Sequence, residues 1–144
     1  MWTVVSSPAH NLYLPRISPD EKWLVFTAEG IGDRRPQIYA APYRSGRGTP
    51  FAEWILLGSG DYPAWSGSGN AVYYLDESLP VAELRGIELD VRTKRPRGSP
   101  VTIHAFSGEW RPSGLVPGTF RIAASRDRLL VSVGRFEAKL LRAR

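Results

Sequence analysis

The chain contains no cysteine, which excludes disulfides and thiolate metal sites. It has two histidines, His10 and His104, far apart and without an H-x-x-x-H pairing, so no convergent metal site is expected. No apolar run approaches the roughly 18 residues of a membrane span, and membrane insertion is not expected. The opening, MWTVVSSPAHN, lacks the basic start and apolar stretch of a signal peptide; as written the chain is expected in the cytoplasm. Helical periodicity is also missing. The nearest candidate, DESLPVAELRGIELD, is broken by Pro80 and Gly86, so residues 78–85 are predicted as a loop between strands.

What is present favours strands. Five Trp, six Tyr and five Phe within 144 residues are flat, bulky side chains suited to pleated surfaces. Short aromatic or β-branched runs alternate with Gly, Pro, Asp and Ser, which predicts strands over 2–5, 10–15, 23–28, 37–43, 53–57, 61–65, 71–75, 86–91, 101–105, 120–124, 129–133 and 137–142. The charge is lopsided: residues 1–90 carry seven Lys/Arg against eleven Asp/Glu, and 91–144 carry twelve against three. The densest basic cluster, Arg92, Lys94, Arg95 and Arg97, surrounds Pro96 and lacks interleaved aromatics for stacking bases, so nucleic acid is not an expected partner.

A repeat organises these strands. LPRISPDEKWLVFTA around Pro15 returns as YPAWSGSGNAVYYLD around Pro63, and a degenerate third copy, FRIAASRDRLLVSVG, begins at Phe120. Pro15 maps to Pro63, Ser18 to Ser66 and Phe26 to Tyr74, a shift of 48 residues. Pro19 and Asp20 suit a tight turn in the first copy, and Gly67 and Gly69 permit positive φ in the second. The following strands, WLVF and AVYY, are apolar throughout, as expected of strands covered on both faces. A period of 40–50 residues with about four short strands per unit reads as a β-propeller blade. The expected fold class is therefore all-β, with about three four-stranded antiparallel blades. Residues 1–9 form an outer strand of a preceding or closing blade, 10–58 blade 1, 59–107 blade 2, and 108–144 an incomplete blade 3. Three blades do not close a ring. The chain is then a piece of a longer propeller, one half of a six-bladed homodimer, or an open arc with exposed edges.

These residues resemble the TolB-like β-propeller repeat, whose blades carry P-x-W/F-S-P-D-G-K-x-I/L-x-F/Y. PRISPDEKWLVF follows it with Glu21 in the usual Gly position, and PAWSGSGNAVYY keeps Pro63, Trp65, Ser66, Gly69 and Tyr74. The third copy keeps Ser125, Asp127 and the apolar strand after them. The chain also looks like the C-terminal propeller of multidomain bacterial regulatory proteins, where such repeats follow a kinase or DNA-binding domain. The resemblance implies a docking scaffold, and a periplasmic setting for a longer parent protein.

No catalytic constellation is expected. Ser68 in SGSGN lacks the G-x-S-x-G spacing of a nucleophile elbow. Asp20, Asp61 and Asp127 fall near repeat-equivalent turns, where carboxylates cap backbone amides; the competing reading is a cation site near the channel. Trp23, Tyr39, Trp65, Tyr73 and Tyr74 read as blade core. Tyr13, Tyr62 and Trp110, with Arg16 and Arg111, precede or begin inner strands, where loops ring a channel mouth, and are the candidate binding residues. The expected function is a non-enzymatic scaffold for a protein or small ligand, without cofactor or metal. The alternatives are a module that docks or gates substrate for a separate hydrolase, peptidase or kinase domain, and a half-propeller that self-associates.

Overall fold

The computed structural model describes residues 3–33, 35–107, 110–112, 121–125 and 128–135. The fold is all-β and antiparallel. β1 (His10–Ile17), β2 (Trp23–Gly30), β3 (Pro36–Pro42) and β4 (Ile55–Ser59) form one four-stranded sheet in sequence order. β5 (Asp61–Trp65), β6 (Ala71–Asp76), β7 (Glu83–Glu88) and β8 (Val101–Ala105) form a second sheet in the same order. Two short ribbons follow: β10 (Ile122–Ala124) with β11 (Leu129–Val131), and β9 (Trp110–Pro112) with β12 (Val133–Arg135). A 3-10 turn, Phe51–Glu53, precedes β4. No sheet among the described residues closes on itself.

The repeat is visible in the backbone as well as the sequence. The buried Ser18 donates its amide to the Trp23 carbonyl at 2.8 Å and accepts the Trp23 amide on its hydroxyl at 3.0 Å. Ser66 makes the same pair with Ala71, at 2.9 and 3.0 Å. One side chain thus closes each hairpin by standing in for a backbone acceptor, and this need retains the serine. Glu21 and Gly69, one repeat apart, donate to the Ser18 and Ser66 carbonyls, both at 2.9 Å, and both have positive φ, +56° and +70°. Leu14 (φ +52°) and Tyr62 (φ +57°) form a second matched pair, each just before a proline, where the inner strand slips register against its neighbour.

Alternation along the second strand of each sheet sets the layers. Val25 faces forward with Ile38, Ala40 and Leu57, and these pack against Trp65, Val72, Tyr74, Ile87 and Leu89. Leu24, Phe26, Ala28, Tyr39 and Ala41 face backward and are covered by Trp54 and by Val4, Val5 and Leu12. From the second sheet, Leu75 faces forward with Ala64 and Leu84 against Ile122, Leu129 and Val131. Across the first interface Tyr74 lies so close that a Cβ on Gly58 would collide with its hydroxyl, and one on Gly60 (φ +148°) would stand 2.5 Å from the Leu75 carbonyl oxygen.

Several strand expectations need correction: the strand predicted over 129–133 divides into β11 and β12, which lie in different ribbons, and β9 was not expected. Residues 3–5 are not a strand; Val5 makes one parallel bridge to Thr49, and the Thr49 amide donates to the Val4 carbonyl at 2.8 Å. The segment is drawn back over the first sheet because apolar Val4 and Val5 cover its otherwise bare face. Residues 83–85 are strand, not loop: Leu84 is buried while Glu83 and Arg85 point outward, an alternation that Pro80 and Gly86 obscured. The predicted 53–57 strand instead begins at Ile55, after the 3-10 turn. The strand predicted over 137–142 and the turn at Asp127 lie outside the described residues.

A candidate binding cleft between the sheets

A cleft of about 570 Å³ opens where β3 and β4 of the first sheet meet β5 and β6 of the second. Pro36 and Ser59 line one side, and Asp61, Leu75, Asp76 and Glu77 line the other. Asp61 is its hinge. The fully buried Thr27 hydroxyl donates to Asp61 Oδ1 at 2.8 Å, tying the sheets together, and the Tyr62 amide donates to the same oxygen at 2.7 Å. Burial pushes the Asp61 carboxyl above the usual carboxylate range, and Glu29 adds to the rise, while the two hydrogen bonds oppose it. Glu77 is an exposed residue whose carboxyl is also pushed up, by loss of water first and by Asp61 second. Asp76 is buried and answered: it accepts from the Ser78 amide (3.1 Å), the Ser78 hydroxyl (2.6 Å) and Arg85 Nη1 (3.2 Å).

Tyr13, on β1, shares this environment. Its hydroxyl is pushed up to about 12, by burial first and then by Asp61, Glu29 and Tyr62. Tyr62 is half-buried next to Asp61 and also helps to line a narrow crevice with Leu14, Arg16 and Arg121. Arg16 is exposed, and its carbonyl accepts the Trp65 indole N–H at 3.0 Å across the sheet interface. The structure thus brings Tyr13 and Tyr62 to Asp61 and places Arg16 on the far side of the inner-strand bulge. The side chains of Trp110 and Arg111, both on β9, lie outside the described residues.

Several expectations meet their geometry here. Asp20 caps its turn, accepting from the Ser18 hydroxyl at 2.6 Å, and that bond first of all holds its carboxyl below the usual range. Asp61 accepts the amide of the adjacent Tyr62, and its bond from Thr27 also joins the two sheets. The sequence reading missed Glu29 and Glu77, although they stand 48 residues apart at equivalent repeat positions. Carrying the motif three residues beyond Phe26 and Tyr74 would have found them. His10 accepts or shares a proton with Ser7 Oγ at 2.8 Å and stacks on Phe51, whereas His104 sits edge-on to Phe106. Among the described residues no three His, Cys, Asp or Glu side chains converge to hold a metal. The basic cluster folds around Asp90, which accepts the Arg92 and Thr93 amides and Arg97 Nη2. Those backbone bonds first of all lower its carboxyl to about 2. Lys94 turns inward, 2% exposed, and donates to the Gly69 carbonyl at 2.7 Å. No helix among the described residues is long and apolar enough to cross a membrane.

No protein-family model matches the sequence, and no curated protein or solved structure matches the chain.

Proposed function

We propose that the chain is a segment of a TolB-like β-propeller and works as a non-enzymatic scaffold that binds a protein or small ligand. Blade 1 spans 10–58, blade 2 spans 59–107, and 108–144 contributes an incomplete third. One observation carries the reading. The two sheets repeat in strand order, in hairpin-closing serine and in the positive-φ residue before the inner-strand proline. Three independent backbone features at one spacing fit a stack of equivalent blades better than a single irregular sandwich. The inner strands also run side by side, β5 between β1 and β10, as strands around a channel would.

Scaffold function follows from what the surface offers. Tyr13 and Tyr62 offer half-buried aromatic area and Arg16 an exposed cation, the mix that anchors partners. The Thr27 hydroxyl and the Asp61 carboxylate are engaged in joining the sheets.

The test compares the chain with a Tyr13→Ala/Arg16→Ala/Tyr62→Ala variant, each first checked for a folded far-UV circular dichroism spectrum. Both are immobilised, bound material is identified by mass spectrometry, and the purified partner is titrated by calorimetry. A partner bound by the parent and weakened at least about tenfold in the variant is expected. Equal binding to both would remove the inner-strand face from the proposal.

A further inference from the structure

Another groove, of about 580 Å³, lies between β4, the last strand of the first sheet, and the turn that joins β7 to β8 in the second. Trp23, Pro42, Ile55 and Leu56 line its floor, and Arg95 and Pro96 stand on the opposite bank. The floor is open to water, with Leu56 49% exposed. Glu53, the carboxylate that lines the groove, is already held by Arg44 Nη2 at 2.6 Å. Arg44 first of all, and Arg47 after it, keep that carboxyl below its usual range. Arg95, one repeat beyond Arg47, is exposed, and its guanidinium makes no ion pair among the described residues. The bank that carries Arg95 is held in shape by hydrogen bonds. Asp90 accepts the Arg92 and Thr93 amides, and its own amide donates to the Arg95 carbonyl at 2.8 Å. Between them Lys94 takes φ +53°, where its counterpart one repeat earlier is Gly46 at +75°. A lysine in that conformation is strained, and it is kept there by its ammonium, which reaches the Gly69 carbonyl at 2.7 Å and Asn70 Oδ1 at 3.3 Å.

We propose that this groove docks an acidic, extended segment of a partner protein, with a large apolar side chain of the segment entering between Trp23 and Leu56 and a carboxylate pairing with Arg95. The site is separate from the inner-strand face of Tyr13, Arg16 and Tyr62 and adds a second contact surface to it. Charge complementarity sets the sign of the partner. The groove presents an exposed Arg95, while its own carboxylate is taken up by Arg44, so a basic segment would meet Arg95 instead of a counter-charge. The open floor sets its size. A small molecule binds where most of its surface is enclosed, whereas a half-exposed floor suits one protruding side chain of a larger surface. Trp and Arg are the side chains that most often dominate such contacts. An extended segment sets alternate side chains on one side, so an apolar one can enter the floor while a carboxylate two residues away reaches the bank. The strained turn at Lys94 fixes the Arg95 backbone in advance, which reduces the ordering cost of docking.

Fluorescence polarisation of the full chain at fixed ionic strength tests this with labelled Asp-Ser-Phe-Ser-Asp-amide, its Lys-Ser-Phe-Ser-Lys and Asp-Ser-Ala-Ser-Asp counterparts, and a short oligothymidylate. Saturable binding of the first probe, at least about tenfold tighter than either counterpart peptide and tighter than the oligonucleotide, is expected. Arg95→Glu reverses the charge of an exposed side chain, leaves the backbone bonds of the turn in place, and weakens that binding by about tenfold or more. Leu56→Ser, also at an exposed position, weakens it through the floor instead. The Tyr13→Ala/Arg16→Ala/Tyr62→Ala chain binds the peptide as the parent does. Absence of saturable binding, equal affinity for the lysine peptide, preference for the oligonucleotide, or an unchanged affinity in Arg95→Glu overturns the inference. A loss confined to the inner-strand variant assigns the peptide to that face, which overturns the groove and leaves the scaffold reading standing.

Discussion

Trp65 and Ile17 occupy the same place in successive repeats, yet truncating them should have very different consequences. Trp65 is 7% exposed and packs in the cluster that joins the sheets, with its indole N–H on the Arg16 carbonyl at 3.0 Å. Ile17 is 51% exposed, since no described sheet lies behind it. Trp65→Ala removes the largest side chain of that cluster and leaves a cavity between two sheets that cannot both collapse into it. The cost is about 3–5 kcal/mol. For a chain of this size that lowers Tm by roughly 10 °C, at about 3 °C per kcal/mol. Trp65→Phe keeps most of the apolar volume and loses the hydrogen bond, for about 1–2 kcal/mol. Ile17→Ala should cost under about 1 kcal/mol, because the side chain is already half in water. Urea unfolding followed by far-UV circular dichroism measures all three without relying on the tryptophan removed. Equal losses at Ile17 and Trp65, or a loss at Trp65 below about 1 kcal/mol, would refute the face-to-face packing of the sheets.

Three further outcomes are expected. Glu21→Gly should stabilise by a few tenths to about 1 kcal/mol because it removes a side chain from positive φ, while Gly69→Ala at the equivalent turn should destabilise by about 1 kcal/mol; paired thermal melts give the signs. Burial, aided by Glu29, raises the Asp61 carboxyl in the folded state, so its contribution to stability is full below the ordinary carboxylate range and is lost as pH rises through the raised value. Asp61→Asn should therefore match the parent in melts at acid pH and become the more stable chain toward neutrality, and a gap that is constant with pH would contradict this. Gly60→Ala should destabilise by about 2 kcal/mol or more, since its Cβ meets the Leu75 carbonyl oxygen at 2.5 Å and the Tyr74 ring at 2.6 Å; denaturant midpoints report it.

Much of the architecture could be read from local chemistry alone. The strand class, the hairpin turns at Ser18 and Ser66 and the core role of the WLVF and AVYY strands follow from alternation, turn residues and the 48-residue spacing. Those signals are encoded within a few residues of one another, so no partner surface is needed to recognise them. The tertiary structure decided the rest. It buries Trp65 and exposes Ile17, though both sit at the same motif position, because burial depends on which sheet lies behind each. It draws residues 3–5 back over the first sheet rather than into a strand, because an apolar face there would otherwise stand in water. It also turns Asp61 from an apparent turn residue into the link between sheets. Thr27, 34 residues earlier in the chain, reaches it only once the sheets have packed. The cleft exists for the same reason: its two walls belong to different repeats, and only their stacking brings Pro36 and Ser59 opposite Asp61 and Glu77.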